Sequence, residues 1–117
     1  DLAIFVTGCL LDQVLEAVKS SKKNCAVINI HTIKPIDRDI ILKFSKQCNK
    51  VMTIEDHSIV GGLGSTVSEV LSDENPTLLK RIGLNDVFPE SGVPSELWEK
   101  YGLSSNKIKE SILEFLD

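Results

Sequence analysis

The stretch that decides the fold is VMTIEDHSIVGGLGS, residues 51–65. It begins with an apolar run over residues 51–55, which is typical of a buried strand. A glycine turn follows at residues 61–64, and Leu63 opens an apolar pattern at helical spacing that continues with Val67, Val70 and Leu71. A strand, a turn and a helix in this order predict one crossover unit of a parallel sheet.

The same unit occurs on both sides of this stretch. Apolar runs predict strands at residues 2–7, 25–30, 51–55 and 77–82. Helical spacing of apolar residues follows the first three strands, and Asp37 is a suitable N-cap for the second helix. Beyond Gly83 we expect a loop, a short helix over residues 96–101, and a last helix from about Ser104.

Strands that alternate with helices predict right-handed crossovers and a sheet covered on both faces. The fold class is therefore α/β, a three-layer α/β/α domain with a doubly wound, mainly parallel sheet of four strands. At 117 residues the chain suits a single domain spanning residues 1–117.

Composition excludes several classes of protein. The net charge of -4 and scattered lysines argue against nucleic acid as a partner. No apolar run approaches the roughly 20 residues of a membrane helix. The three cysteines Cys9, Cys25 and Cys48 lack metal-like spacing and indicate free thiols in a reducing compartment, so we expect a cytoplasmic protein without a membrane partner.

The candidate site is the crevice at the carboxyl ends of the strands, where open parallel sheets bind ligands. Its candidate residues lie at the ends of the first and third strands or form the glycine turn: Thr7, Gly8, Asp56, His57, Gly61, Gly62 and Gly64. The turn precedes a helix, so its N–H groups can face an anion. The competing interpretation is that glycine permits a positive φ and a close approach of helix to sheet.

Two functions from other classes follow from the same residues. The glycine turn allows a free-standing module that binds an anion or nucleotide, although it is neither GxGxxG nor a Walker loop. Cys9 and His57 would lie close together if the first and third strands are neighbours, which makes a Cys–His thiol hydrolase a second alternative.

Three blocks of sequence resemble the C-terminal domain of transketolase. They are residues 32–37 (TIKPID), residues 54–65 (IEDHSIVGGLGS), and residues 90–103, which contain ESG and ELWEKYGL. The first block is also similar to the beta subunit of 2-oxo acid dehydrogenases, and deoxyxylulose-phosphate synthase is a close relative. The resemblance spans nearly the whole chain.

The resemblance implies an enzyme of carbohydrate metabolism, in the pentose phosphate pathway, that depends on thiamine diphosphate and magnesium. Such enzymes move two-carbon ketol units between sugar phosphates as homodimers. Their cofactor lies between a diphosphate-binding and a pyrimidine-binding domain, on the same or a separate chain. The third domain supports assembly, so the resemblance assigns no catalytic, cofactor-binding or metal-binding residue here and no turnover to this domain alone.

The family fold has a fifth strand, antiparallel and at the sheet edge, for which we find no counterpart here. The chain enters its first strand directly after Asp1, which we interpret as the start of a fragment of a longer chain. The strand at residues 25–30 would then carry an unpaired edge. We expect this polypeptide to self-associate, and about ten upstream residues of the native gene to reduce that association.

Overall fold

A computed structural model describes residues 1–7, 10–31, 35–58, 62–84 and 102–117, and for residues 56–58 and 84 it describes the backbone only. The four strands are β1 (Leu2–Val6), β2 (Cys25–Asn29), β3 (Lys50–Ser58) and β4 (Leu78–Leu84). The helices are α1 (Leu11–Ser21), α2 (Arg38–Cys48), α3 (Leu63–Glu74) and α4 (Ser105–Leu116). The predicted order of elements is confirmed wherever the structure describes the chain.

The strands form one sheet in the order β2-β1-β3-β4, and every pairing is parallel. All five residues of β1 are buried, because this central strand is covered on both faces. The chain moves outward from β1 to β2 and then continues on the other side of β1 with β3. The sheet is therefore doubly wound, as predicted, and strand order reverses between β1 and β3.

Alternate residues of the strands supply two separate apolar layers. Leu2, Ile4 and Val6 of β1 pack with α1 and α4 on one face of the sheet. Ala3 and Phe5 of β1 pack with α2 and α3 on the opposite face. The period of two along the strand thus produces the three-layer architecture.

Side-chain caps begin two of the helices where the sequence suggested. Asp37 Oδ1 accepts a hydrogen bond from the backbone N–H of Ile40 at 3.1 Å, which confirms Asp37 as the N-cap of α2. Ser104 Oγ accepts from the N–H of Lys107 at 3.3 Å at the start of α4. Each cap pairs an N–H group that has no partner within its own helix.

The third and fourth strands differ from prediction. We expected β3 to end near Glu55, but it continues through Asp56 and His57 to Ser58. Likewise β4, which we expected to end at Ile82, continues through Gly83 to Leu84. Ser58 pairs with Leu84 after a shift in register, so the two strands extend each other beyond the buried run. The short helix predicted at residues 96–101 lies outside the described residues.

Candidate functional site

The carboxyl end of β1 lies beside Ile54 of β3, at the point where strand order reverses. The backbone N–H of Thr7 donates to the carbonyl oxygen of Ile54 at 3.2 Å, which extends the β1–β3 pairing to the end of β1. On the other side of β1, the N–H of Ile30 donates to the carbonyl of Val6 at 2.9 Å. The first and third strands are thus neighbours, which was the condition for Cys9 and His57 to lie close together, and this is where open parallel sheets form their crevice.

The structure describes only some of the predicted site residues. Thr7 is buried, with 6% of its surface exposed. Asp56 and His57 belong to β3, with their backbone alone described, and Gly62 directly precedes α3. Gly8 and Gly61 lie outside the described residues. So does Cys9, and the Cys9–His57 pairing therefore stays a prediction.

The start of α3 is bound by a carboxylate of the chain itself. Glu55 is fully buried, and its two carboxylate oxygens accept hydrogen bonds from the N–H groups of Leu63 and Gly64, both at 2.8 Å. Hydrogen bonds to an ionised carboxylate are about twice as strong as neutral ones, and the positive end of the helix dipole favours the same charge. The glycine turn was expected to present its N–H groups to an external anion. Two of these groups are instead bonded to Glu55.

Sequence reasoning used Glu55 only as part of a resemblance and missed this contact. Thr53 and Glu55 are two residues apart on β3, on the face that also carries Val51 and packs against α2 and α3. A glutamate at the end of a buried strand needs a partner, because an unpaired buried charge is costly. That requirement, together with a helix start eight residues later, was the available signal.

Gly64 allows α3 to approach the sheet closely. A Cβ atom built on Gly64 would lie 2.8 Å from Nε of Arg81 and 3.0 Å from Oγ1 of Thr53, closer than real Cβ atoms normally come to such neighbours. The guanidinium of Arg81 donates a hydrogen bond to Oγ of Ser65, the next residue of α3, at 2.9 Å. Close approach is therefore confirmed as one use of the glycines.

A positive φ is not the reason for Gly62, which has φ −97°. Among the described glycines, only Gly102 has a positive φ. The expectation that the turn needs glycine for a left-handed conformation is therefore wrong at Gly62. Its neighbour Gly61 is not among the described residues.

Two of the three cysteines lie among the described residues. Cys25 and Cys48 are both free and half-buried. Burial is the main effect on Cys25 and raises the pKa of its thiol, the terminal amine of Asp1 opposes that shift, and Cys48 adds to it. A raised pKa lowers the fraction of nucleophilic thiolate at neutral pH.

The described part of the chain contains neither a metal-binding cluster nor a membrane-spanning helix. No group of three or more His, Cys, Asp or Glu side chains there is arranged to hold a metal ion. None of the described helices has the length and hydropathy needed to cross a membrane.

Comparison with known proteins agrees with this geometry. The family model for the transketolase C-terminal domain matches residues 1–108. The chain belongs to the transketolase C-terminal domain family. A solved structure of a split-gene transketolase, an inactive beta4 tetramer, superposes with a TM-score of 0.89 at 38% identity and covers 97% of this chain and 38% of that one.

Three curated relatives illustrate the range of the transketolase family. The C-terminal section of a transketolase from Methanocaldococcus jannaschii is 44% identical over 97% of this chain. A 6-deoxy-6-sulfo-D-fructose transketolase subunit from a Clostridium strain is 35% identical over 92%. The 1-deoxy-D-xylulose-5-phosphate synthase of Caldanaerobacter subterraneus is 36% identical over 97%. This chain spans 36%, 34% and 19% of their respective lengths.

Proposed function

We propose that this chain is the structural and assembly domain of an enzyme that transfers two-carbon ketol units between sugar phosphates. The observation that carries the proposal is the match to transketolase C-terminal domains along almost the whole chain. The chain corresponds to about a third of two of those relatives. The remaining part of the enzyme would supply a diphosphate-binding and a pyrimidine-binding domain, and the complete enzyme would be a homodimer.

The same proposal assigns thiamine diphosphate and magnesium to the two companion domains. In the described part of this chain, no group of three or more His, Cys, Asp or Glu side chains is arranged to hold a metal ion. The two N–H groups of Leu63 and Gly64, which could contact a diphosphate, are bonded to Glu55. The proposal assigns no step of the reaction to residues of this domain.

We further propose that the crevice at the ends of β1 and β3 faces a companion domain. Its residues are those predicted from the sequence: Thr7, Gly8, Asp56, His57, Gly61, Gly62 and Gly64. The support is that the end of β1, where Thr7 lies, neighbours β3 just before Asp56 and His57, at the reversal of strand order. Glu55 directly precedes Asp56 and is hydrogen-bonded to the start of α3, so the crevice borders a buried polar contact.

Reconstitution tests the assembly role directly. This chain and a separately produced polypeptide with the other two domains, from the same organism, would be mixed and analysed by size-exclusion chromatography and a ketol-transfer assay. We expect a stable complex, activity only in the mixture, and no turnover by either part alone. A companion polypeptide that is fully active without this chain, or that does not bind it, would contradict the proposal.

Calorimetry separates the proposal from a free-standing anion-binding module. Thiamine diphosphate with magnesium should give no binding heat with this chain alone and a clear signal with the reconstituted complex. Inorganic diphosphate and ATP should likewise leave the melting temperature of the isolated chain unchanged. A shift with either anion would favour the module instead.

The nature of the sugar substrate requires a separate assay. Relatives of comparable similarity include a deoxyxylulose-phosphate synthase and a sulfosugar transketolase subunit. The reconstituted complex should transfer a ketol unit from xylulose 5-phosphate to ribose 5-phosphate. Condensation of pyruvate with glyceraldehyde 3-phosphate, or exclusive use of a sulfosugar, would replace the proposed reaction while leaving the assembly role intact.

A further inference from the structure

We draw no further inference here: the strongest candidate, the outer edge of β4 with the shallow clefts on its two faces, has nothing in the described part of the structure to show what covers it.

Discussion

Glu55 shows how one residue can connect a strand to the helix that follows it. Its carboxylate is fully buried and pairs with two N–H groups at the start of α3, so the chain supplies its own anion to the helix. Breaking such a pair is expensive, since the donors or the charge remain buried without a partner. We call this contact, formed by Glu55 with the N–H groups of Leu63 and Gly64, the clamp, and the glycine turn is part of it.

Substitution of Glu55 tests this clamp. Glu55→Gln keeps the shape of the side chain but replaces one acceptor oxygen with an NH2 group that faces a backbone donor. We expect the free energy of unfolding to fall by about 1–3 kcal/mol, measured by urea denaturation.

Thr53→Val is the matched control on the same strand. Oγ1 of Thr53 is buried and has no hydrogen-bond partner among the described residues. Removing it should leave stability unchanged or raise it, because an unpaired buried hydroxyl already costs free energy. Equal stability of the wild type and Glu55→Gln, or equal losses in the two variants, would rule out the clamp.

A second residue-scale prediction concerns Gly64. Gly64→Ala should reduce stability by about 1–2 kcal/mol, because overpacking against Arg81 and Thr53 outweighs the higher helix propensity of alanine. Ser72→Ala on the exposed face of α3 should show no such loss. The cost of Gly64→Ala should shrink in an Arg81→Ala background, and an unchanged cost would show that Arg81 is not the obstacle.

At the scale of elements, α4 is tied to the rest of the fold at both ends. The backbone N–H of Ser105 donates to Oε1 of Gln13 on α1 at 3.1 Å. At the other end, Nζ of Lys50 donates to the carbonyl oxygen of Phe115 at 2.8 Å and lies 5.4 Å from the centre of its ring. A cation at a helix C-terminus is favoured by the helix dipole.

Loss of the lysine should therefore loosen α4. We expect Lys50→Met to lower the free energy of unfolding by about 1 kcal/mol and to speed amide hydrogen exchange in the last turn of α4. Lys107→Met is the control, since its 3.7 Å pair with Glu110 is exposed and such pairs contribute about 0.5 kcal/mol or less. Similar effects of both substitutions would contradict a specific role for Lys50.

The two outer strands of the described sheet differ in charge. β4 carries Lys80 and Arg81, and lysine on an edge strand discourages pairing with another chain. β2, with the sequence CAVIN, carries no charged residue and pairs with β1 along its whole length without a bulge. Of these two edge strands, β2 is therefore the one that opposes pairing with a strand of another chain less strongly.

We therefore expect the 117-residue polypeptide to self-associate through β2. Asn29→Lys should shift sedimentation toward the monomer, because a charge on the edge strand opposes pairing. Leu15→Lys adds the same charge on the exposed face of α1 and should leave the association unchanged. A clean monomer at high concentration would refute the prediction, and equal effects of both lysines would locate the contact elsewhere.

At the scale of the whole molecule, the proposed interface makes Asp56 and His57 of the crevice important for assembly and dispensable for folding. His57→Ala should weaken binding of the companion polypeptide at least tenfold, measured by calorimetry, and leave the melting temperature of this chain unchanged. Lys19→Ala, on the exposed face of α1, should change neither the binding affinity nor the melting temperature. Wild-type binding by both His57→Ala and Asp56→Ala would place the interface on another surface.

Much of the architecture was predictable because local patterns specify it. Continuous apolar runs produced the strands, helical spacing produced the helices, and Asp37 and Ser104 are capping residue types found at their expected positions. The ends of β3 and β4 were not predictable in this way, because pairing between those two strands extends them through polar residues and through Gly83.

The sequence by itself determined the order of elements, the doubly wound class and the family of this chain. Only the tertiary structure decided what the central stretch does: Glu55 binds the helix start, and Gly64 makes room for Arg81. The physical reason is that apolar periodicity is encoded locally. A buried carboxylate, by contrast, receives its partners only when a strand face and a helix end meet in space.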